Sequence, residues 1–414
     1  MKIVFANKYY FLKGGAERAM FDLRDVLTRH GHEVIPFTVS DPKNLSSAWG
    51  QFFVSPIQTA RVRFSLSGIK TAGRILYSFE ARRKFARLLD ATTPDLVHIH
   101  NIYHQLSPSI LAAAKERGLP VVMTAHDYKL IAPNYSLFHD GAVCERTKLH
   151  RFWRAVLHRC VKGSFVASAL AALEMTLHRA FGLWRDGVDL VIAPSLFMQA
   201  ILAEYGIDKK KIVHIPHCIN ASAWTPVEGG DYALYVGRLS AEKGIDVLIR
   251  AAALAKEIPV RIVGTGPEER RLRKLAAQLN ADNVEFVGFL EGDALRAEYA
   301  GARFVVVPSI WYEVFGLIVL EAYAAGKPVI ATQLGGLAEL VKDGETGLHT
   351  TAGDANDLAT HMRTLWTKPA IAIEMGRAGR AWVLRDFGPE EHYRKTMDAY
   401  ALANALKKSK TAPL

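Results

Sequence analysis

The chain has 414 residues, 52 of them Lys or Arg and 41 Asp or Glu, for a net charge of +11. That length predicts two domains, each with its own core, and no apolar run approaches the roughly 20 residues that span a bilayer. Three cysteines without a C-x-x-C argue against a disulfide framework or a thiolate zinc site and fit a reducing cytoplasm, while the basic excess favours an anionic partner such as a nucleotide, a nucleic acid or an acidic lipid surface.

Met1-Lys-Ile-Val-Phe-Ala6 is too short for a signal peptide and reads as a first strand. The pair Gly14-Gly15 leads into a helix over about 16–30, where Ala16, Ala19, Met20, Leu23, Val26 and Leu27 recur at helical spacing. A strand from Glu33 follows. Strand, glycine loop, helix, strand is the start of a Rossmann-like unit, although the loop lacks G-x-G-x-x-G. Paired glycines at a helix start let a phosphate or another backbone come close; a plain tight turn is the alternative. Arg61, Arg63, Lys70, Arg74, Arg82, Arg83, Lys84 and Arg87 make the next stretch basic, and it receives no ligand.

Strands at 95–100 and 120–125 end in polar clusters, His98, His100 and His104 for one, His126, Asp127 and Tyr128 for the other. Ligands of open α/β sheets bind beyond the carboxyl ends of strands, so both clusters are expected at a cleft. His98 and His100 share a strand face, but no third ligand is evident and no metal is expected. From 140 to 186, eight Lys and Arg face mainly Glu145 and Glu174, with Phe152, Trp153, Phe165, Phe181 and Trp184 among them. That mixture suits helices lying in a membrane interface. Arg151, Trp153, Arg154, Arg159 and Lys162 are its candidate membrane or acceptor contacts. The alternative is a helical excursion with core aromatics and solvated arginines. Cys144 and Cys160 read as structural. A strand at 188–193, a helix capped by Ser195 and a strand at 211–215 precede a Pro/Gly-rich linker, 216–230.

The alternation restarts at 232–236. Gly237-Arg238-Leu-Ser-Ala-Glu-Lys243-Gly244 then precedes a helix over about 245–255. A guanidinium and an ammonium beside a helix start can clamp a pyrophosphate; a solvated pair is the alternative. The strands at 260–263 and 284–287 run into Gly264-Thr-Gly266 and Gly288-Phe289-Leu290. The β-branched run at 304–307 leads to Glu313-Val-Phe315-Gly316-Leu317 and, within the next helix, Glu321. Free N–H groups at that helix start attract anions, and the two carboxylates accept from hydroxyls. A nucleotide sugar fits both features. A last helix covers about 389–408.

Two glutamates with Phe-Gly after the first and an Ala-Ala-Gly-Lys-Pro-Val-Ile tail resemble the donor-site signature of retaining GT-B glycosyltransferases, family 4. Gly237-Arg-Leu-x-x-Glu-Lys-Gly244 is similar to the same family's diphosphate loop. The resemblance implies a GT-B α/β fold, two Rossmann-like domains with parallel sheets facing a cleft. The first would cover 1–215 and the second 231–388, with 389–414 crossing back onto the first. It implies that Glu313 touches the sugar hydroxyls, that the amides of Phe315, Gly316 and Leu317 hold sugar and phosphate, and that Glu321 holds the ribose. Arg238 and Lys243 would neutralise the leaving diphosphate, and His126 would lie near the transferred sugar. Gly14 and Gly15 would lie over the pyrophosphate, with Gly237, Gly264, Gly266, Phe289 and Leu290 completing the donor site.

The expected partners are a nucleotide-sugar donor, a glycan or polyprenyl-diphosphate-linked acceptor and an anionic membrane surface. No cofactor, metal or nucleic acid is expected. The expected location is the cytoplasm, at the inner face of the cell membrane. Rival readings are a nucleotide-sugar epimerase or a phosphorylase of the same fold, and a nucleotide-sugar-binding protein without turnover.

Overall fold

The computed structural model describes residues 1–57 and 66–411; Arg61 and Arg63 of the basic stretch lie outside them. The chain builds two six-stranded sheets, parallel throughout. The first contains β1 (Lys2–Ala6), β2 (Glu33–Phe37), β3 (Leu96–Ile99) and β4 (Val121–Thr124). An antiparallel hairpin, β5 (Phe138–His139) with β6 (Ala142–Val143), interrupts it before β7 (Leu190–Ala193) and β8 (Ile212–His214) complete it. Their order is β2-β1-β3-β4-β7-β8. The second sheet contains β9 (Tyr232–Val236), β10 (Val260–Val263), β11 (Val284–Gly288), β12 (Ala302–Val307), β13 (Val329–Thr332) and β14 (Gly347–Thr350), in the order β11-β10-β9-β12-β13-β14.

Parallel sheets are covered on both faces, so their strands read as unbroken apolar runs. Phe304, Val305 and Val306 are fully buried for that reason, as are Val122 and Met123. The Gly15–Arg29 helix turns Ala19, Met20, Leu23, Val26 and Leu27 inward. Ser195 caps the Leu196–Glu204 helix by accepting a hydrogen bond from the Met198 N–H. The helices Ala355–Thr367 and Pro369–Asp386, like the β5–β6 hairpin, have no counterpart in the sequence reading.

Two connections tie the halves together. The final helix, Pro389–Thr411, returns to the first sheet, where Tyr400 and Ala403 pack with Ile3, Phe5 and Leu190. The passage 216–230 is packed rather than loose, since Ile219, Ala221 and Trp224 belong to the second core. Lys327, from the Gly-Lys-Pro turn, is buried and donates to the carbonyls of Gly229 and Ala300 at 2.7 and 2.8 Å. The motif's lysine thus fastens the linker.

The returning helix corrects one expectation. His98 does not face the cleft. It is fully buried beneath that helix, 2.8 Å from both Tyr400 Oη and Thr124 Oγ1. Strand alternation correctly paired it with His100, but the covering element lies some 300 residues downstream. Tyr128, placed in the second polar cluster, is also fully buried, but against the second domain, where its hydroxyl donates to Tyr312 O.

The segment 140–186 folds as three helices after the hairpin, Trp153–Leu157, Phe165–Ala180 and Leu183–Gly187. Its aromatics divide. Phe152 packs with Ala172 and Met175, and Trp184 packs on Tyr103, whereas Trp153, Phe165 and Phe181 are exposed, as are Leu149 and Leu157. A buried ion pair anchors the segment. Lys129, just beyond β4, lies 2.7 Å from Glu174 on the Phe165–Ala180 helix.

Candidate functional site

The site forms where the loop after β12 meets the loop after β9. Glu313 is buried, and its Oε1 accepts from Lys243 Nζ and from Ser309 Oγ, both at 2.6 Å. Burial pushes the Glu313 carboxyl up, but the Lys243 charge and hydrogen bond, with Ser309, hold it below its ordinary value. It is therefore ionised at neutral pH. Lys243 also lies over the Trp311 ring, 5.2 Å from its centre. Arg238, from the same loop as Lys243, is exposed and has no ion pair among the described residues.

The backbone around Glu313 is fixed from both sides. Ile310 N–H donates to Glu242 O at 2.9 Å, Thr332 Oγ1 to Ser309 O at 2.7 Å, and Gly336 N–H to Glu313 O at 2.6 Å. Supports of this kind preorganise a charged group before ligand arrives. Gly316 then begins the Leu317–Ala324 helix at φ 128°, a conformation open to glycine; a Cβ there would stand 2.8 Å from Leu337 Cδ2. The amides of Phe315, Gly316 and Leu317 surround this helix start, a favourable place for a phosphate.

Glu321 lies one turn further on. Tyr299 Oη donates to its Oε2 at 2.8 Å. Burial raises the Glu321 carboxyl, and Arg18 and Asp22 of the Gly15–Arg29 helix act on it in opposite directions. The two domains thus approach each other here. A methyl added at Gly15 would stand 3.8 Å from Leu317 Cδ1, so Gly15 borders the Leu317–Ala324 helix start, whereas one added at Gly14 would meet Glu17 of its own helix. The ends of β9 and β10 are also pressed together: a Cβ at Gly264, where φ is 135°, would come within 1.9 Å of Gly237 O. Gly237, Gly264 and Gly266 therefore shape the loops, with Gly266 backed against Leu239. Beyond β11, Leu290 packs on the second core, while Phe289 is exposed.

The loop 311–314 also wedges into the first domain. Val314, Trp311 and Tyr312 pack on the first core. Tyr128 Oη donates to Tyr312 O at 3.0 Å, and Ser195 Oγ to Val314 O at 2.6 Å. Glu339 accepts from the free amides of Leu196 and Phe197 at 2.9 and 3.1 Å. His126 reaches the same junction through His217, whose ring stacks on it at 5.4 Å and meets Phe315 edge-on at 5.1 Å. Burial lowers the His126 pKa to about 4, so the ring is neutral at pH 7. Burial raises its neighbour Asp127 to about 6, against the opposing Lys129 amide and charge.

Arg238, Lys243, Glu313, Phe315, Gly316, Leu317, Glu321, Gly15 and His126 thus converge on one interdomain junction, with Gly14 next to Gly15 in the chain. Arg151, Trp153, Arg154, Arg159 and Lys162 lie elsewhere, on the surface of the 140–186 segment; all but the half-buried Arg154 are exposed. Ser309 and Tyr299, which seat the two glutamates, were not singled out from sequence. Ser309 stands four residues before Glu313 in one loop and could have been weighed; Tyr299 is 22 residues from Glu321 and carries no local signal. Among the described residues no three His, Cys, Asp or Glu side chains are placed to hold a metal ion.

Comparison with known proteins decides the family. Residues 13–223 match the model described as Glycosyltransferase Family 4, and residues 220–382 match that for Glycosyl transferases group 1. The chain belongs to glycosyltransferase family 4. Relatives include the D-inositol 3-phosphate glycosyltransferase of Pseudarthrobacter chlorophenolicus, 34% identical over 47% of this chain and 51% of that one. The chain thus aligns with about half the length of that relative. The glycogen synthase of Mycobacterium tuberculosis is 30% identical over 69% of each chain. The structure of Anabaena HepE in complex with UDP-glucose superposes with a TM-score of 0.66 at 19% identity, over 97% of this chain and 99% of that one. The fold is GT-B, as the sequence resemblance implied.

Proposed function

We propose that this glycosyltransferase moves a sugar from a UDP- or GDP-sugar to a glycan acceptor with retention of configuration and without a metal ion. The observation that carries the reading is the pairing of a fixed cation with a buried, ionised carboxylate, Lys243 with Glu313, beside the free amides of the Leu317–Ala324 helix. In the reaction the bond from the sugar's anomeric carbon to the diphosphate oxygen breaks on the face where the acceptor oxygen bonds. The acceptor proton passes to a leaving phosphate oxygen. Arg238, Lys243 and the helix amides stabilise the charge arriving on that diphosphate, an electrostatic effect worth about 10²–10³ in rate per preorganised donor. Glu313 holds the sugar hydroxyls and Glu321 the ribose. The wedged loop 311–314 excludes water and limits hydrolysis. The bound UDP-glucose of HepE supports a nucleotide-sugar donor.

The test is release of nucleoside diphosphate from a panel of UDP-, GDP- and ADP-sugars, with and without polyprenyl-diphosphate sugars. One donor is expected to be turned over faster with acceptor, and Glu321→Ala to abolish that turnover. Equal activity of Glu321→Ala and wild type would remove the ribose role.

The acceptor is read as lipid-linked, in bacterial surface-polysaccharide assembly at the inner face of the membrane. Exposed Leu149, Trp153, Leu157, Phe165 and Phe181, interspersed with Arg151, Arg159 and Lys162, support this. Apolar side chains rimmed by cations bind an anionic interface. Among the described residues no helix is long and apolar enough to cross a membrane. Wild type is expected to sediment with phosphatidylglycerol vesicles, less so in high salt, and Trp153→Ser with Phe165→Ser to reduce the bound fraction at least about 10-fold. Identical partitioning of the double variant would detach this face from the membrane.

A further inference from the structure

The strands β3 and β4 lie side by side, so the loops that leave their carboxyl ends are neighbours at the cleft. Asp127, half-buried, stands in the loop after β4. Its Oδ1 accepts from the Lys129 N–H at 2.9 Å, a side-chain turn that fixes the carboxylate, while Oδ2 has no partner among the described residues. The Lys129 ammonium does not neutralise it, being committed to Glu174 at 2.7 Å. Tyr103, in the loop after β3, brings a second unused group. Its ring packs on Trp184, and its buried hydroxyl has no hydrogen-bond partner among the described residues. Burial raises the pKa of that hydroxyl, and the charges of Asp127 and then Glu174 raise it further, so it lies within the field of Asp127.

The same carboxylate looks across the cleft toward the donor loop. Tyr135 is folded back so that its carbonyl accepts from the Tyr128 N–H at 3.0 Å. Burial raises the Tyr135 hydroxyl, Asp127 raises it further, Arg238 lowers it and Glu242 raises it. One side chain thus feels both the first-domain carboxylate and the second-domain guanidinium. The neutral His126, and Tyr128, whose hydroxyl is raised by burial and then by Glu313, Tyr312 and Asp127, are further titratable neighbours.

Two properties select the ligand chemistry. A carboxylate repels phosphate, so Asp127 is no part of a diphosphate clamp and accepts from neutral or cationic donors. It stands on the first domain, whereas Glu313 and Glu321 stand on the second. A half-buried carboxylate without a cation is costly unless a ligand supplies the missing hydrogen bond.

We propose that Asp127 is a specificity-determining residue for the acceptor, its free Oδ2 accepting a hydrogen bond from a hydroxyl of the acceptor's terminal sugar. The inference deepens the reading of this protein as a transferase to a glycan and rests on it. The bonded hydroxyl is not the attacking one, whose proton passes to the leaving phosphate.

Asp127→Asn and Asp127→Ser test the proposal, since both keep a side-chain oxygen for the Lys129 N–H and lack the second carboxylate oxygen. The donors are UDP- and GDP-sugars, and the acceptor probes are polyprenyl-diphosphate N-acetylglucosamine and methyl glycosides. Both variants are expected to lose at least about 10-fold in kcat/KM for the acceptor, while UDP and GDP affinity and acceptor-free donor hydrolysis stay within about threefold. Burial raises Asp127 to about 6, so the carboxylate prevails above that pH. At saturating donor, the wild-type kcat/KM for the acceptor is expected to fall as pH drops through this range, and Asp127→Asn to lack that fall. Undiminished acceptor kcat/KM in either variant, an equal loss of diphosphate affinity, or a fall with pH that persists in Asp127→Asn overturns the proposal. A wild-type profile that is flat over the same range overturns it as well. Failure of wild type to use either kind of acceptor removes the proposed function itself, and this inference with it.

Discussion

Lys243→Met lowers kcat about 100- to 1000-fold, some 3–4 kcal/mol of transition-state stabilisation, while the fold survives. The loss has two sources. In the proposed reaction the ammonium that would neutralise the leaving diphosphate disappears, and Glu313 loses the partner that keeps it ionised. Lys243 is the foremost of the groups that hold the Glu313 carboxyl below its usual value against burial. Without it, burial prevails and the carboxyl takes up a proton at higher pH. The activity of Lys243→Met is accordingly expected to rise with pH over a range where wild type is flat. Glu313→Gln is expected to lower kcat to a similar degree. Because the two residues act as one 2.6 Å pair, the double variant should lose far less than the product of the single losses. Steady-state release assays on the three variants check this, and multiplicative losses would show that the pair does not act as a unit.

Glu174→Ala destabilises the protein by about 3–5 kcal/mol, the range for removing one member of a buried ion pair. Lys129 and Glu174 have side chains only 3% and 2% exposed, so the variant strands an ammonium with no water to receive it. Burial would raise the Glu174 carboxyl, but Lys129, then His104, bring it down to about 2. A folded-state pKa below the unfolded value means the stabilisation is complete at neutral pH and is lost as pH falls from about 4 toward 2. Urea unfolding at pH 7 should show the full deficit, and the gap to wild type should narrow in acid. Lys129→Met with Glu174→Leu removes both charges and is expected to recover most of the stability. A Glu174→Ala protein as stable as wild type at pH 7 would mean that Lys129 finds another partner.

The sequence revealed what is local. Fully buried parallel strands announce themselves as runs such as Phe304-Val-Val-Val307, and the loops after β9 and β12 each carry their charged residues within a few positions. Relations between distant residues left no trace. The Lys129–Glu174 pair spans 45 positions and the His98–Tyr400 bond 302. Which face of β3 meets the cleft was undecidable while the final helix's docking was unknown, and His98 was misplaced for that reason. The β5–β6 hairpin is preceded by Tyr135 and Leu137 and turned at Asp140, all three at positive φ, conformations that these side chains do not advertise. The aromatics of the 140–186 segment divided between core and surface according to the packing of the Trp153–Leu157 helix on the Phe165–Ala180 helix, a tertiary fact.

A nucleoside diphosphate is expected to bind in the cleft between Arg238, Lys243, the start of the Leu317–Ala324 helix and Glu321. Calorimetric titration with UDP, GDP and ADP tests it most directly. Saturable binding of at least one of them is expected, weakened at least about 10-fold by Arg238→Ala and by Glu321→Ala, since each removes a charged hydrogen-bonding partner. Absence of binding by all three, or undiminished affinity in both variants, would contradict it.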